Sequence, residues 1–205
     1  MKTIFFELIY FFSIPRKYEA DYLEKDTNPN KDKYIAAMQI LFSTYGDTEI
    51  TFADYVNKIN PKGKSQKRGI VVTEKNIYKH DPKNYKVKKF GTPLASVVAI
   101  SMSPRKDSFV VVQCSGDYRD MVLDLGVENV ERYSEFVTVL VQEIRKLTGK
   151  TVPVTFTDQV AFNNTREKGK PGVNCTLGFS PATDPKQVGC AFKPGKANHH
   201  MIHYQ

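Results

Sequence analysis

Residues 51–90 read TFADYVNKINPKGKSQKRGIVVTEKNIYKHDPKNYKVKKF, and this stretch decides the fold. Short runs of β-branched and aromatic residues alternate in it with the turn-forming segments NPKGKSQK and DPKN. Such runs, repeating about every 8 to 12 residues with tight turns between them, are typical of antiparallel hairpins. The stretch therefore predicts four consecutive strands, TFADYVNKI, RGIVVT, KNIYKH and YKVKKF.

The pattern continues on the C-terminal side with SVVAISMS, DSFVVVQC and DMVLDL, and after residue 150 with TVPVTFTD, QVAFNN, VNCTLGFS, VGCAFK and HHMIHY. Between these two groups, residues 130–147 have apolar residues three and four apart, which predicts one amphipathic helix that Gly149 ends. Its polar face is predicted to include Glu131, Glu135, Gln142, Arg145 and Lys146. The order of strands, helix and further strands favours a small, mainly antiparallel barrel or sandwich.

The N-terminal part is predicted to contain a connector over residues 1–29, followed by one domain over residues 30–205. Residues 30–42 have mostly helical spacing, with Asn30 available as an N-cap and Gly46 as the end. The apolar run IFFELIYFF at residues 4–12 contains Glu7 and is far shorter than the roughly 20 residues that cross a bilayer. We therefore expect no membrane-spanning segment and no secretion signal.

The positive charge is concentrated in the hairpin region. Between Lys58 and Lys106 there are thirteen Lys or Arg and two acidic residues, a net charge of +11, whereas the whole chain is +8 and the other 156 residues therefore sum to −3. A field focused on a few hairpins attracts polyanions, such as the phosphates of lipid headgroups or of nucleic acid.

Other motifs do not predict an enzyme. Gly63-Lys64-Ser65 ends like a phosphate-binding loop, but Lys58 stands where that motif requires a glycine. His199, His200 and His203 form HHMIH, and on the predicted strand residues 199 and 203 stand too far apart for one metal ion. The cysteines are too few, and odd in number, for a disulfide framework, which favours a reducing compartment; they are Cys114, Cys175 and Cys190. We expect no catalytic residues, no metal and no cofactor.

Lysines crowd two adjacent hairpins. Pro61, Gly63 and Ser65 allow the first loop to fold tightly, which brings Lys62, Lys64 and Lys67 around one point. The second turn is flanked by Lys79, Lys83, Lys86 and Lys88. Two neighbouring basic hairpins could bind one anion between them.

Taken together, these residues resemble the tail homology 1 region of class I myosins. The family's run of a strand, KINxKGKSQKR, a hydrophobic strand and a YxxxPKxYKxKK-like hairpin is matched nearly in full by residues 52–89, and its S-x-S-P-x-x-D-x-F-V pattern by residues 101–110. SIPRKYEADYL, FVTVLVQEIRKLTGKTVPV and VTFTDQVAFNN extend the resemblance to about residues 13–205.

The resemblance implies a pleckstrin-homology-like fold, α+β but mainly β. We expect a bent seven-stranded antiparallel barrel capped by a C-terminal helix, with an N-terminal helical extension and extra C-terminal strands. It also implies binding of acidic phospholipids through the basic hairpins. By position, the lipid-binding candidates are Lys58, Lys62, Lys64, Lys67, Arg68, Lys79, Lys86 and Lys88. Tyr55 and Gln66 stand where some members have basic residues, which favours charge-driven binding over a stereospecific headgroup site.

The partners implied by the resemblance are phosphoinositides and phosphatidylserine, actin filaments, and a myosin motor and neck if the chain belongs to a longer protein. The expected location is cytoplasmic, peripheral at the plasma or endosomal membrane and in the actin cortex. Two alternatives stay open at this point. The basic face could contact actin or another acidic protein, or Tyr78, Tyr85 and Phe90 could stack nucleic-acid bases between the lysines, although we expect no nucleic acid because core packing explains these aromatics more simply.

Overall fold

The computed structural model describes residues 20–60, 63–86, 91–104, 108–127, 130–164, 173–181, 183, 191–194 and 199–204. Within these ranges the chain forms two α-helices, α1 (Lys31–Tyr45) and α2 (Tyr133–Thr148), and a short 3₁₀ turn at Leu94–Ser96. The first nine strands are β1 (Ile50–Ile59), β2 (Ser65–Thr73), β3 (Asn76–His80), β4 (Thr92–Pro93), β5 (Val97–Met102), β6 (Phe109–Cys114), β7 (Met121–Asp124), β8 (Gly126–Val127) and β9 (Val130–Glu131). The remaining strands are β10 (Val154–Phe156), β11 (Gln159–Asn164), β12 (Val173–Pro181), β13 (Ala191–Pro194) and β14 (His199–Tyr204).

The main sheet has the strand order β10-β5-β6-β7-β1-β2-β3-β4. Each neighbouring pair among strands β1 to β7 of this sheet is antiparallel. This mainly β arrangement, closed by one helix after the seventh strand, confirms the predicted pleckstrin-homology-like fold. Strand β10 lies within TVPVTFTD, which was predicted as a strand, but its place in the main sheet was not predicted: it adds an eighth strand parallel to β5.

Helix α2 packs on the inner face of the main sheet and forms the main core with it. Phe136, Leu140 and Ile144 are buried there, and the Phe136 ring meets Phe52 edge-on with 5.4 Å between centroids. The predicted helix began too early, because Val130–Glu131 pairs with Gly126–Val127 as a small hairpin. The helix ends as predicted at Gly149, whose φ of 72° is the left-handed conformation that glycine adopts easily.

Glu135 is a second correction in α2. The spacing predicted it on the polar face, but its side chain is buried, with 5% of the residue exposed. The hydroxyl of Tyr22 donates a 2.7 Å hydrogen bond to its carboxylate. A residue from the N-terminal segment therefore covers a carboxylate that helical periodicity alone places in solvent.

Helix α1 packs on the outer face of β1, β2 and β3 through Tyr34, Met38 and Leu41, and Gly46 ends it as predicted. Asn30 occupies the N-cap position, but the predicted side-chain cap is absent, because its amide oxygen accepts instead from Lys33 Nζ at 3.1 Å. Residues 20–29 of the predicted connector also pack on the sheet: Leu23 is fully buried. The boundary between residues 29 and 30 stays a prediction.

A second sheet with the order β11-β12-β14-β13 covers the outer face of β1, β6 and β7. Val160, Leu177 and Ile202 of this sheet are buried against residues such as Phe109 and Val122 of the main sheet. These are the extra C-terminal strands of the prediction. The N-terminal apolar run at residues 4–12 lies outside the described residues. Neither of the helices that the structure describes is long and apolar enough to cross a membrane.

Candidate functional site

The first basic hairpin is closed by a compact loop. The backbone N–H of Gly63 donates to the Asn60 carbonyl at 2.8 Å, and the Lys64 N–H donates to the Asn60 side chain at 3.0 Å. Gly63 has a φ of 73°, a conformation that costs any residue with a Cβ roughly 1 kcal/mol. Lys64 is consequently exposed next to the tip of the hairpin. Lys62 lies outside the described residues.

The register of the strands divides the predicted basic residues between two faces. Arg68 lies opposite Val56, and Lys79 lies opposite Ile70. Directly opposite residues of an antiparallel pair share a face, and Val56 and Ile70 belong to the main core. Arg68 and Lys79, together with Lys58 two residues from Val56, therefore continue the inner face of the sheet beyond the core.

Lys67 is on the other face of the same hairpin. Its ammonium lies 4.4 Å from the centroid of the Tyr55 ring, a cation–π contact. The first hairpin therefore presents Arg68 inward and Lys67 outward. The sequence prediction that Lys62, Lys64 and Lys67 gather around one point did not take this alternation into account.

Three cations gather at the end of the inner face. Burial lowers the pKa of the half-buried Lys58, and the nearby guanidinium groups of Arg68 and Arg119 lower it further. Arg119 comes from the loop between β6 and β7 and was missed by the sequence prediction, because Asp117 and Asp120 on either side of it give that loop a net charge of −1. We call Lys58, Arg68, Lys79 and Arg119 the basic mouth.

Arg68 is oriented by its neighbours on the strand. One guanidinium nitrogen donates to the Lys67 carbonyl and another to the Gln66 side-chain oxygen, both at 3.0 Å. Gln66 is one of the two positions where a basic residue was predicted to be missing. Its amide instead holds the basic residue two positions further along the chain.

Lys79 reaches across the inner face from β3. Its ammonium donates to Thr92 Oγ1 at 3.2 Å and lies 3.3 Å from the sulfur of Met121 on β7. Lys86 is exposed on the loop after β3, where its N–H donates to the Asn84 side chain. Lys88 lies outside the described residues.

The second sheet holds the loop that carries Arg119. Asp120 accepts the N–H of Cys114 at 2.7 Å with one oxygen and the N–H of Asn163 on β11 at 2.6 Å with the other. Burial raises the pKa of Asp120 although both hydrogen bonds act in the opposite direction. The extra C-terminal strands thus fix one side of the basic mouth.

Comparison with known proteins identifies the family of this chain. Residues 10–196 match the family described as unconventional myosin tail, actin- and lipid-binding. The chain belongs to this family. It is a tail homology 1 domain of class I myosins, and such a lipid- and actin-binding tail associates with membranes and the actin cortex.

Relatives of this tail domain are myosin heavy chains. Over 191 residues it is 56% identical to myosin IE heavy chain of Dictyostelium discoideum, which covers 93% of this chain and 19% of the relative. Over 190 residues it is 43% identical to myosin IF heavy chain of the same organism, which covers 92% and 18%. Myosin heavy chain IB of Acanthamoeba castellanii is 31% identical over 176 residues, which covers 82% and 14%. The chain therefore spans about a fifth or less of these relatives, and the matched part is tail and not motor, in agreement with the prediction of a non-enzymatic chain.

The aromatic residues of the tail domain's second hairpin are core residues. Tyr78 is 2% exposed and Tyr85 is fully buried, where Tyr85 meets Tyr34 of α1 edge-on with 5.2 Å between centroids. Neither ring is available to stack on bases as nucleic-acid binding would require. Phe90, the third aromatic of that alternative, lies outside the described residues.

Other reactive groups of the tail domain are structural where the structure describes them. Burial raises the pKa of the Cys114 thiol to about 12, and Cys175 is buried in the second sheet. Cys190 lies outside the described residues. The segment HHMIH forms strand β14 as predicted, and the described side chains contain no group of three or more His, Cys, Asp or Glu placed to hold a metal ion.

Proposed function

We propose that this tail domain binds anionic phospholipids, phosphoinositides and phosphatidylserine among them, and so links an actin-based motor to a membrane. The observation that carries the proposal is the position of Lys58, a half-buried cation beside Arg68 and Arg119. Like charges held together in a partly desolvated site repel one another, and an anionic headgroup relieves that repulsion. The proposed surface comprises Lys58, Lys62, Lys64, Lys67, Arg68, Lys79, Lys86, Lys88 and Arg119.

The expected affinity of one tail is modest. Each Lys or Arg near an anionic leaflet contributes about 1 kcal/mol, so four or five of them contribute roughly 4 to 5 kcal/mol. This corresponds to a dissociation constant around the millimolar range. Retention on a membrane then depends on several tails acting together or on a second contact within each tail.

Vesicle binding by paired variants tests the proposal. Arg68→Gln with Arg119→Gln removes two charges of the basic mouth, whereas Arg145→Gln with Lys150→Gln removes two exposed charges at the far end of α2. We expect the mouth variant to partition onto anionic vesicles roughly 25-fold more weakly than the wild type. The vesicle binding of the control variant should stay within about twofold of the wild type. If both variants lose vesicle binding equally, the binding depends on the net charge of the domain and not on the basic mouth, which would contradict the proposal.

Actin is the second candidate partner for the same basic face, because the family is described as actin- and lipid-binding. The lysines that attract anionic headgroups would also attract the acidic surface of a filament. Co-sedimentation with filaments, with and without anionic vesicles, separates the two uses. Competition between vesicles and filaments would indicate one shared face, and simultaneous binding would indicate separate faces.

The motor and the membrane compartment are further parts of the proposal. Because the matched relatives extend far beyond this region, we propose that this domain is the cargo end of a longer chain with a motor and a neck. We propose the cytoplasmic face of the plasma or endosomal membrane as its location. A fluorescent fusion of the domain should concentrate at those membranes, and the mouth variant should become diffuse.

A further inference from the structure

A cleft of about 490 Å³ lies on the outer side of the first hairpin, away from the basic mouth. Its walls are the segment around residues 22–30, strands β1 and β2, the turn after β3 and the start of α2. We call it the outer cleft. It is lined by Tyr22, Lys25, Thr27, Asn28, Pro29, Asn30, Asp54, Tyr55, Lys67, Pro82, Lys83 and Arg132. Its volume falls in the range of pockets that hold small ligands.

The lining of the outer cleft is strongly cationic. It contains the four cations Lys25, Lys67, Lys83 and Arg132 and the single carboxylate Asp54, a net charge of +3. Asp54 pairs with Arg132, whose Nε donates to it at 2.8 Å, and the Glu135 carboxylate lies 4.0 Å from Nη1 of the same guanidinium, so the three lysines supply the excess positive charge. The cleft therefore concentrates positive potential in a concave site, where field lines are focused.

Two tyrosine rings hold three of these cations in place. The Arg132 guanidinium lies 3.4 Å from the centroid of the Tyr22 ring, and Lys25 Nζ lies 4.6 Å from the same centroid. Lys67 Nζ lies 4.4 Å from the centroid of the Tyr55 ring. Cations held by cation–π contacts lose little further freedom when an anion binds, so the site is preorganised.

The rings themselves are fixed by partly buried hydrogen bonds. The Tyr22 hydroxyl donates to Glu135 at 2.7 Å, and the Tyr55 hydroxyl donates to the Asn28 side chain at 2.7 Å. Asn30 and Arg132, the N-cap residues of α1 and α2, also line the cleft, and neither side chain caps its helix. The positive ends of two helix dipoles thus add to the charge of the side chains.

We infer that the outer cleft is a second anion site of this domain, one that takes phosphomonoester groups. A phosphomonoester carries about −1.5 to −2 charges on three acceptor oxygens. It can therefore contact several convergent cations at once, whereas a carboxylate ligand offers one charge and two oxygens. The group could belong to a lipid headgroup or to a soluble phosphate. Only the first of these sources rests on the proposed function.

The geometry gives this second site a specific relation to the basic mouth. Lys67 and Arg68 are consecutive residues of β2, and one lines the outer cleft while the other belongs to the mouth. The first hairpin therefore separates two anion sites. Two weak sites on one rigid hairpin supply the second contact that the modest affinity of a single site requires.

Titration with soluble inositol trisphosphate, followed by NMR of the ¹⁵N-labelled protein, tests the site directly. The cleft variant is Lys25→Gln with Lys83→Gln, which leaves the structural cations Lys67 and Arg132 in place. The control is again Arg145→Gln with Lys150→Gln, which removes the same charge at the opposite end of α2, a helix that is about 24 Å long over its 16 residues.

The wild type should show saturable amide shifts at Lys25, Asn28 and Lys83, beside shifts at the basic mouth. The cleft variant should bind there roughly 25-fold more weakly, at about fivefold for each lysine, with mouth shifts unchanged within about twofold. If the amide signals of the outer cleft do not shift in the wild type, or shift equally in the cleft variant, the inference is overturned, even if the signals of the basic mouth shift. Shifts at the cleft without shifts at the mouth would instead contradict the proposed function and leave the cleft site standing.

Vesicles that contain about 5% phosphatidylinositol bisphosphate distinguish the two sources of phosphate. If the cleft takes headgroups, the cleft variant should partition at least fivefold more weakly than the control variant. If vesicle binding is equal while the NMR shifts are lost, the site takes a soluble phosphate.

Discussion

Replacement of Lys58 by Met should make the protein more stable and a weaker membrane binder at the same time. Lys58 lies on β1 opposite Leu123 of the main core, so an apolar side chain of similar length fits its surroundings. Among the residues that the structure describes, its ammonium contacts no carboxylate, and its neighbours Arg68 and Arg119 repel it. The wild type therefore keeps a charge that opposes folding and that the proposed lipid binding uses.

The stability gain should be about 0.5 to 2 kcal/mol, the range found when functional sites of this kind are relaxed. For a chain of 205 residues this raises the melting temperature by about 2 to 4 °C per kcal/mol. Loss of one cation from the basic mouth should weaken partition onto anionic vesicles about fivefold. The two effects have opposite signs, which a merely destabilising substitution cannot produce.

The pH dependence follows from the lowered pKa of Lys58. Its pKa in the folded state lies below the ordinary value of 10.5, so between these two values the unfolded chain binds more protons than the folded one. Stability of the wild type must then rise with pH across that window, and the destabilisation by Lys58 is complete only below it. The advantage of Lys58→Met should accordingly shrink between about pH 7 and about pH 10.

Urea unfolding at both pH values and vesicle sedimentation at neutral pH measure these effects. Lys64→Met is the control for stability, because it makes the same chemical change at an exposed position and should stay within about 0.5 kcal/mol of the wild type. Lys150→Met is the control for binding. If Lys58→Met lowers stability, or if it sediments with vesicles as well as the wild type, the account of the basic mouth is refuted.

Substitutions at three further positions test other parts of the structure. Gln66→Lys should raise the affinity for anionic vesicles about fivefold in a partition assay, because it adds a cation beside Arg68, whereas Gln66→Ala should lower it by releasing the guanidinium. Asp120→Asn should cost about 2 to 3 kcal/mol in urea unfolding and speed hydrogen exchange at the Asn163 amide, since an amide side chain cannot accept both N–H groups with oxygens; unchanged exchange would mean that this link does not hold the two sheets. Gly63→Ala should cost about 1 kcal/mol while Gly63→Asn costs less, because φ is 73° and Asn tolerates that region, and equal stability of the two variants would contradict the strain argument.

Local patterns were sufficient to predict most of the fold. The stripe that contains Phe136, Leu140 and Ile144 predicted α2, and the turn residues around Gly63 predicted the first hairpin. The early start predicted for α2 was a local error, because residues 126–131 form a hairpin instead, but two other errors arose where distant parts of the chain meet. Glu135 is buried because Tyr22 donates to it across 113 positions of sequence, and no helical periodicity contains that information. In the same way, the parallel pairing of β10 with β5 joins segments that the strand pattern alone does not connect.

The candidate site was predicted less completely than the fold. Period-two alternation along β2 does contain the separation of Lys67 from Arg68, so this part of the geometry could have been predicted. Arg119 could not, because it joins Lys58 only through the pairing of β7 with β1. The outer cleft also depends on tertiary contact, since Tyr22 and Arg132, which contact each other there, are 110 positions apart in the sequence (132 − 22).

Sedimentation of the wild-type domain with vesicles tests the central claim most directly. At low salt, the domain should sediment with vesicles that contain about 20 to 40% anionic lipid, remain in solution with neutral vesicles, and be released as the salt concentration rises. If the domain remains in solution with the anionic vesicles, the basic hairpins do not form a membrane-binding surface, and the account given for them is wrong.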